Sequence, residues 1–168
     1  MIIKLNIFQF ILALFVNLYI LALLFYMFIT FTGGHTIPKE LFRSSFFEDN
    51  IELGFYIYFI VTIIIDTLFV YSLIQLLRVV GYFKKNLLFT SKIIKLLKTV
   101  GKHFVLIAIV SFSTSIFYNY SFSENFIESM LLPFFYHFMV LIIGFGILVF
   151  EEIQRKACQI KEENDLTI

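Results

Sequence analysis

Four long apolar stretches, divided by short charged segments, limit what this chain can fold into. The first runs from Leu5 to Thr32 without a charged residue. The second runs from Leu53 to Leu77 with only Asp66 interrupting it, the third from Phe104 to Ser123, and the fourth from Ser129 to Phe150. Each is about 20 residues or longer, which a helix rising about 1.5 Å per residue needs to cross about 30 Å of hydrocarbon. The expected fold is all-α: an integral membrane four-helix bundle. The connecting segments are too short for a separate soluble domain, so residues 1–168 read as one domain with a tail over residues 151–168.

Composition supports this class. The chain is 60% hydrophobic and 15% charged, where a soluble protein carries about 25% charged residues. The 24 Phe and the absence of Trp read as compositional bias rather than an aromatic cofactor box. A cleaved signal peptide has an apolar core of about 7–15 residues followed by a small-residue cleavage site. Leu5 to Thr32 is longer and no such site follows, so a retained helix is expected.

The net charge of +1 says little, but its distribution gives an orientation. The segment between the second and third stretches carries Arg78, Lys84, Lys85, Lys92, Lys95, Lys98 and Lys102 and no acid. Lys4 lies near the N-terminus, and Arg155, Lys156 and Lys161 lie in the tail. Of the 13 basic residues only Lys39 and Arg43 fall between the first two stretches, beside Glu40, Glu48 and Asp49. The segment before the fourth has only Glu124 and Glu128. The positive-inside rule then places both termini and the middle segment in the cytoplasm.

Enzyme signatures are missing. His35, His103 and His137 fall outside, inside and within the membrane by this topology, so they do not converge on a metal. No Cys or carboxylate cluster has zinc-ligand spacing, and no phosphate-binding loop, nucleophile elbow or zinc-protease motif occurs. No cofactor is expected. Cys158, the single cysteine, excludes an internal disulfide and reads as an ordinary helix side chain. Gly144 and Gly146 suit the close approach of a neighbouring helix.

The middle segment has its own pattern. In FTSKIIKLLKTV, Phe89 to Val100, Lys92, Lys95 and Lys98 recur every three residues while Ile93, Leu96, Leu97 and Val100 fill another helical face. A hydroxyl of Thr90 or Ser91 is expected to cap the first turn by accepting a free amide. The expectation is an amphipathic basic cytoplasmic helix between spans two and three. It reads first as lying on anionic inner-leaflet lipid and second as docking a partner. Direct nucleic-acid binding is not expected, because topology already explains the positive charge.

Beyond Phe150, Ile153, Ala157 and Ile160 keep a helical period into the tail. VFEEIQRKACQIKEENDLTI, Val149 to Ile168, resembles the C-terminal signature of the bacterial membrane family known as domain of unknown function 2975. LLFTSKIIKLLKTVG, Leu87 to Gly101, resembles that family's Phe-Thr basic amphipathic segment, with Leu88 where its members usually carry Gly. The resemblance implies four spans in a bacterial cytoplasmic membrane and no known reaction. Members are often encoded beside a small helix-turn-helix regulator, which implies a cytoplasmic DNA-binding partner. Glu162, Glu163 and Asp165 have charge opposite to Lys92, Lys95 and Lys98, and Leu166 and Ile168 add apolar contact. These residues are the expected partner-binding set, with the tail expected to dock on the basic helix.

Polar residues inside the apolar stretches form a second candidate. Asp66 lies near mid-span, where a carboxylate costs about 2.5–3.5 kcal/mol on insertion scales and needs a partner. His137 lies at similar depth and is the expected one. Asn17 and Ser113 or Thr114 complete a midplane layer with one polar residue per helix. Such a layer serves either as a hydrogen-bonded clasp or as a proton or ion relay. Thr36 with Pro38 suggests a short outer helix, and Ser121 to Glu124 a capping box. The leading reading is a non-enzymatic inner-membrane component of a regulatory pair. The alternative is a small transporter or channel subunit using Asp66 and His137. An intramembrane hydrolase ranks below both, for want of a nucleophile-activating motif.

Overall fold

Hydrocarbon offers backbone amides and carbonyls no water, so an apolar segment must bond to itself as a helix. All four stretches are helical in the computed structural model, which describes residues 2–32, 51–85, 87, 90–122 and 126–166. The helices are α1 (Ile2–Thr32), α2 (Ile51–Lys84), α3 (Ser91–Phe122) and α4 (Phe126–Leu166). Three contain segments long and apolar enough to cross a membrane: Ile3–Phe25, Tyr56–Lys84 and Ser129–Leu166. The third predicted stretch lies on α3, which is not among them. Its apolar half is diluted by Ser111, Ser113, Thr114, Ser115 and Asn119.

The basic segment departs from expectation. It is the first third of α3, continuous with the apolar half, rather than a separate helix lying on lipid. Its apolar face is buried by protein. Ile93 and Leu97 pack with Val79, Tyr82, Phe83 and Ile147. Val100, one turn on, joins Leu73, Phe104, Ile107, Ala108, Val140 and Val16. α2 runs past its predicted end at Leu77 to Lys84 and provides the wall that receives them. The start of α3 also differs in detail. The Thr90 carbonyl accepts the amides of Ile93 and Ile94, while the Thr90 hydroxyl donates back to the Leu87 carbonyl instead of accepting a first-turn amide.

Neighbouring helices pack in chain order. α3 and α4 run antiparallel and come closest at two glycines. A Cβ on Gly101 would meet the Leu148 side chain at 2.7 Å and the Gly144 carbonyl oxygen at 3.2 Å. A Cβ on Gly144 would meet the Val105 amide nitrogen at 2.9 Å. Gly146 has nothing within 4 Å, so of the two glycines expected to admit a neighbour only Gly144 does so. α1 is held more lightly: Val16 is its one buried residue among those described, and Lys84 of α2 donates to Gln9 of α1.

α4 has 41 residues and so extends about 60 Å, roughly twice the hydrocarbon thickness. It continues through Pro133 and, as its periodicity predicts, beyond Phe150. The predicted outer helix near Thr36 and Pro38, Glu124 of the Ser121–Glu124 cap and Ile168 fall outside the described residues, and the Ser121 backbone belongs to α3.

Candidate functional site

Polar side chains join each neighbouring helix pair. Between α1 and α2, the Tyr19 hydroxyl donates to Asp66 Oδ1 at 2.7 Å, and the Tyr19 ring meets Phe69 edge-on at 5.2 Å. Between α2 and α3, buried Ser72 lies 3.1 Å from His103 Nδ1. Ser72 gives its single proton to the Leu68 carbonyl, so its oxygen accepts from the imidazole N–H.

Between α3 and α4, His137 is clamped by two serines one turn apart. Ser111 lies 2.9 Å from Nδ1 and Ser115 lies 2.9 Å from Nε2. Ser111 donates its proton to the Ile107 carbonyl, which leaves its oxygen to accept from Nδ1–H. Ser115 then donates to Nε2. A neutral imidazole has one donor and one acceptor, and both are used.

These couplings replace the single midplane layer expected from the sequence. Asp66 takes Tyr19 instead of His137. Asn17 donates to the Ala13 carbonyl and Ser113 to the Ile109 carbonyl, each within its own helix and exposed. Helix rotation, which depth along a span does not specify, points these two away from Asp66. Ser113 does share a groove with His137, a cavity of about 280 Å³ between α3 and α4 that Phe112, Phe134 and Phe138 also line. Sequence reading missed Tyr19, Ser111 and Ser115. The Ser111–Ser115 spacing was the available signal, since residues four apart share a helix face. Among the described residues no group of three or more His, Cys, Asp or Glu is placed to hold a metal.

At the other end, Lys92, Lys95 and Lys98 are exposed along α3, with Lys92 6.0 Å from the centre of the Tyr82 ring. The acidic residues level with them are Glu151 and Glu152 at the start of the tail, not Glu162, Glu163 and Asp165. Gly101 faces Leu148 and Gly144 faces Val105, a register that places Lys98 level with Glu151 and Glu152, and Ser91 level with Cys158. Glu152 accepts from Arg155 at 2.6 Å. That bond, with smaller help from Lys156 and Lys98, holds its carboxyl below the usual range. Glu162, Glu163, Asp165 and Leu166 are exposed on the last turns of α4, about 6–12 Å beyond the start of α3 at 1.5 Å per residue. The structure therefore does not bring the acidic end of the tail and the basic segment together; α4 overshoots α3.

Cys158 bonds to the Glu162 carboxylate at 3.6 Å. Partial burial first, and that carboxylate second, push its thiol above the ordinary value. Maleimide labelling at neutral pH is expected to be slower than for a free thiol and faster in Glu162→Gln. Equal rates would remove the role of Glu162.

Long apolar helices, pairwise polar couplings between them and charge gathered at one end define a helical protein of membrane type. The model of the family described as protein of unknown function (DUF2975) matches residues 1–168, the whole chain, and the chain belongs to that family. No curated protein and no solved structure matches it.

Proposed function

We propose that this chain is a non-enzymatic component of a bacterial cytoplasmic membrane that docks a cytoplasmic DNA-binding regulator. All four helices span the bilayer in this reading, with α3 as the fourth span sheltered between α2 and α4. Both termini and the α2–α3 connection are cytoplasmic, because that side gathers all basic residues except Lys39 and Arg43.

The observation that carries the reading is the continuation of α4 to Leu166 beyond the start of α3, where its side chains are exposed. This arm presents Glu162, Glu163 and Asp165 past the start of α3, clear of the exposed Lys92, Lys95 and Lys98. A protein that binds nucleic acid is positively charged on its phosphate-binding face, so an acidic arm is its natural competitor. Membrane sequestration by the arm and release to DNA follow from that competition. The intramembrane contacts support a structural rather than a transport role. Asp66 and His137 are each bonded across one helix pair, and they take separate partners.

Affinity purification of the intact protein, and of a form lacking Glu162 to Ile168, tests the proposal. The regulator is expected with the intact protein only, with recovery falling at least about tenfold on truncation. Added operator DNA and added salt are both expected to release it. Equal recovery from both forms, or none from either, would overturn the docking reading and favour flux assays on Asp66 and His137.

A further inference from the structure

We propose that α1 is a homodimer interface, two copies of the chain meeting along a stripe centred on Asn17. The inference rests on the membrane placement proposed above. Asn17 sits inside the apolar segment Ile3–Phe25 and is exposed. One of its N–H groups donates to the Ala13 carbonyl at 2.8 Å. Its second N–H and its carbonyl oxygen have no partner among the described residues. Thr67 and Ser113 are also exposed within the apolar layer, but each gives its single proton to its own helix. A hydroxyl is satisfied that way; a primary amide, with two donors and an acceptor, is not. Hydrocarbon offers no substitute, so the remaining Asn17 groups call for a partner at the same depth.

A second copy related by a twofold axis supplies that partner. The amide is self-complementary, and the axis places Asn17 opposite Asn17. The surrounding stripe fits this occupant. Asn6, Phe10, Ala13, Asn17, Leu21 and Leu24 recur at three- and four-residue intervals on one face. Ala13 is small and admits a close backbone, and Phe10, Leu21 and Leu24 are exposed around it. A neighbouring face, with Leu12, Val16, Tyr19 and Ile20, holds the rest of the bundle. Only 6% of the α1 span is buried inside the bundle, against 17% for the spans on α2 and α4, so α1 is the least covered of these three spans.

The test uses full-length protein, with Cys158→Ser, in lipid nanodiscs and liposomes. Leu24→Cys on the stripe is expected to form an intermolecular disulfide, while Leu18→Cys, exposed on another face of the same helix, is not. In single-molecule photobleaching, Asn17→Leu is expected to weaken dimerisation about tenfold, the product of two reciprocal interhelical bonds, and Asn17→Gln to retain it. A monomer at every protein-to-lipid ratio, equal crosslinking at both cysteines, or a dimer indifferent to Asn17→Leu would each overturn the proposal. Extraction by alkaline carbonate without detergent would instead remove the membrane placement itself. A carbonate-resistant monomer removes the dimer alone.

Discussion

Gly144→Leu is expected to leave no folded protein in detergent extracts, while Gly146→Leu folds like the parent. The difference lies in what each position faces. A Cβ on Gly144 would stand 2.9 Å from the Val105 amide nitrogen and 3.0 Å from both the Phe104 Cβ and a Val105 methyl. Backbone nitrogen and Cβ cannot rotate aside, so α3 and α4 must separate. Separation uncovers Phe104, Ile107 and Val140, part of the buried core, and stretches the Ser111–His137–Ser115 bonds. Overpacking by a single methyl costs about 1–3 kcal/mol, which is the expected effect of Gly144→Ala; the branched leucine exceeds what the interface can absorb. Gly101→Ala is expected to do less, because its nearest obstacle is the Leu148 side chain, which can change rotamer. Thermal unfolding of the purified variants separates these outcomes. A folded Gly144→Leu protein would mean that the α3–α4 contact is looser than its geometry.

Which parts of this architecture are legible in the sequence follows from what each signal encodes. The helix-forming stretches stand out because hydrocarbon thickness imposes a length, and length is read directly from the chain. The basic segment shows why a face is easier to read than its destination. Ile93, Leu97 and Val100 have the same period whether they meet lipid or protein, and only the extension of α2 to Lys84 decides for protein. Gly144 and Gly146, two residues apart, lie on nearly opposite sides of a helix, so composition does not say which one faces α3. Asp66 and His137 stand out because charge and imidazole are rare in apolar stretches. Their partners do not, because Tyr19 resembles the many other aromatic residues and Ser111 and Ser115 resemble serines bonded to their own helix. The tail helix was readable from Ile153, Ala157 and Ile160. Its distance from Lys92, Lys95 and Lys98 was not, since it depends on the register of α3 against α4.

Tyr19→Phe is expected to destabilise the bundle by about 1–3 kcal/mol, the penalty for stranding a buried hydrogen-bonding group. The ring survives, so the edge contact with Phe69 is kept and only the donor to Asp66 is lost. Near mid-span the stranded group is a carboxyl, on the side of α2 that faces α1. The double variant Tyr19→Phe/Asp66→Leu is expected to regain most of the parent stability, because replacing both partners by apolar groups removes the unmet demand together with the bond. Asp66→Asn is expected to be tolerated, since the amide oxygen still accepts from Tyr19. Thermal unfolding in nanodiscs measures all three, and recovery of the proposed regulator gives an independent readout of the proposed function. A clasp predicts that stability and recovery follow the Tyr19 hydrogen bond. A proton relay instead needs a titrating carboxyl and fails in Asp66→Asn even when the fold is intact. Loss of function in a fully stable Asp66→Asn protein would overturn the clasp and return Asp66 to the transport reading.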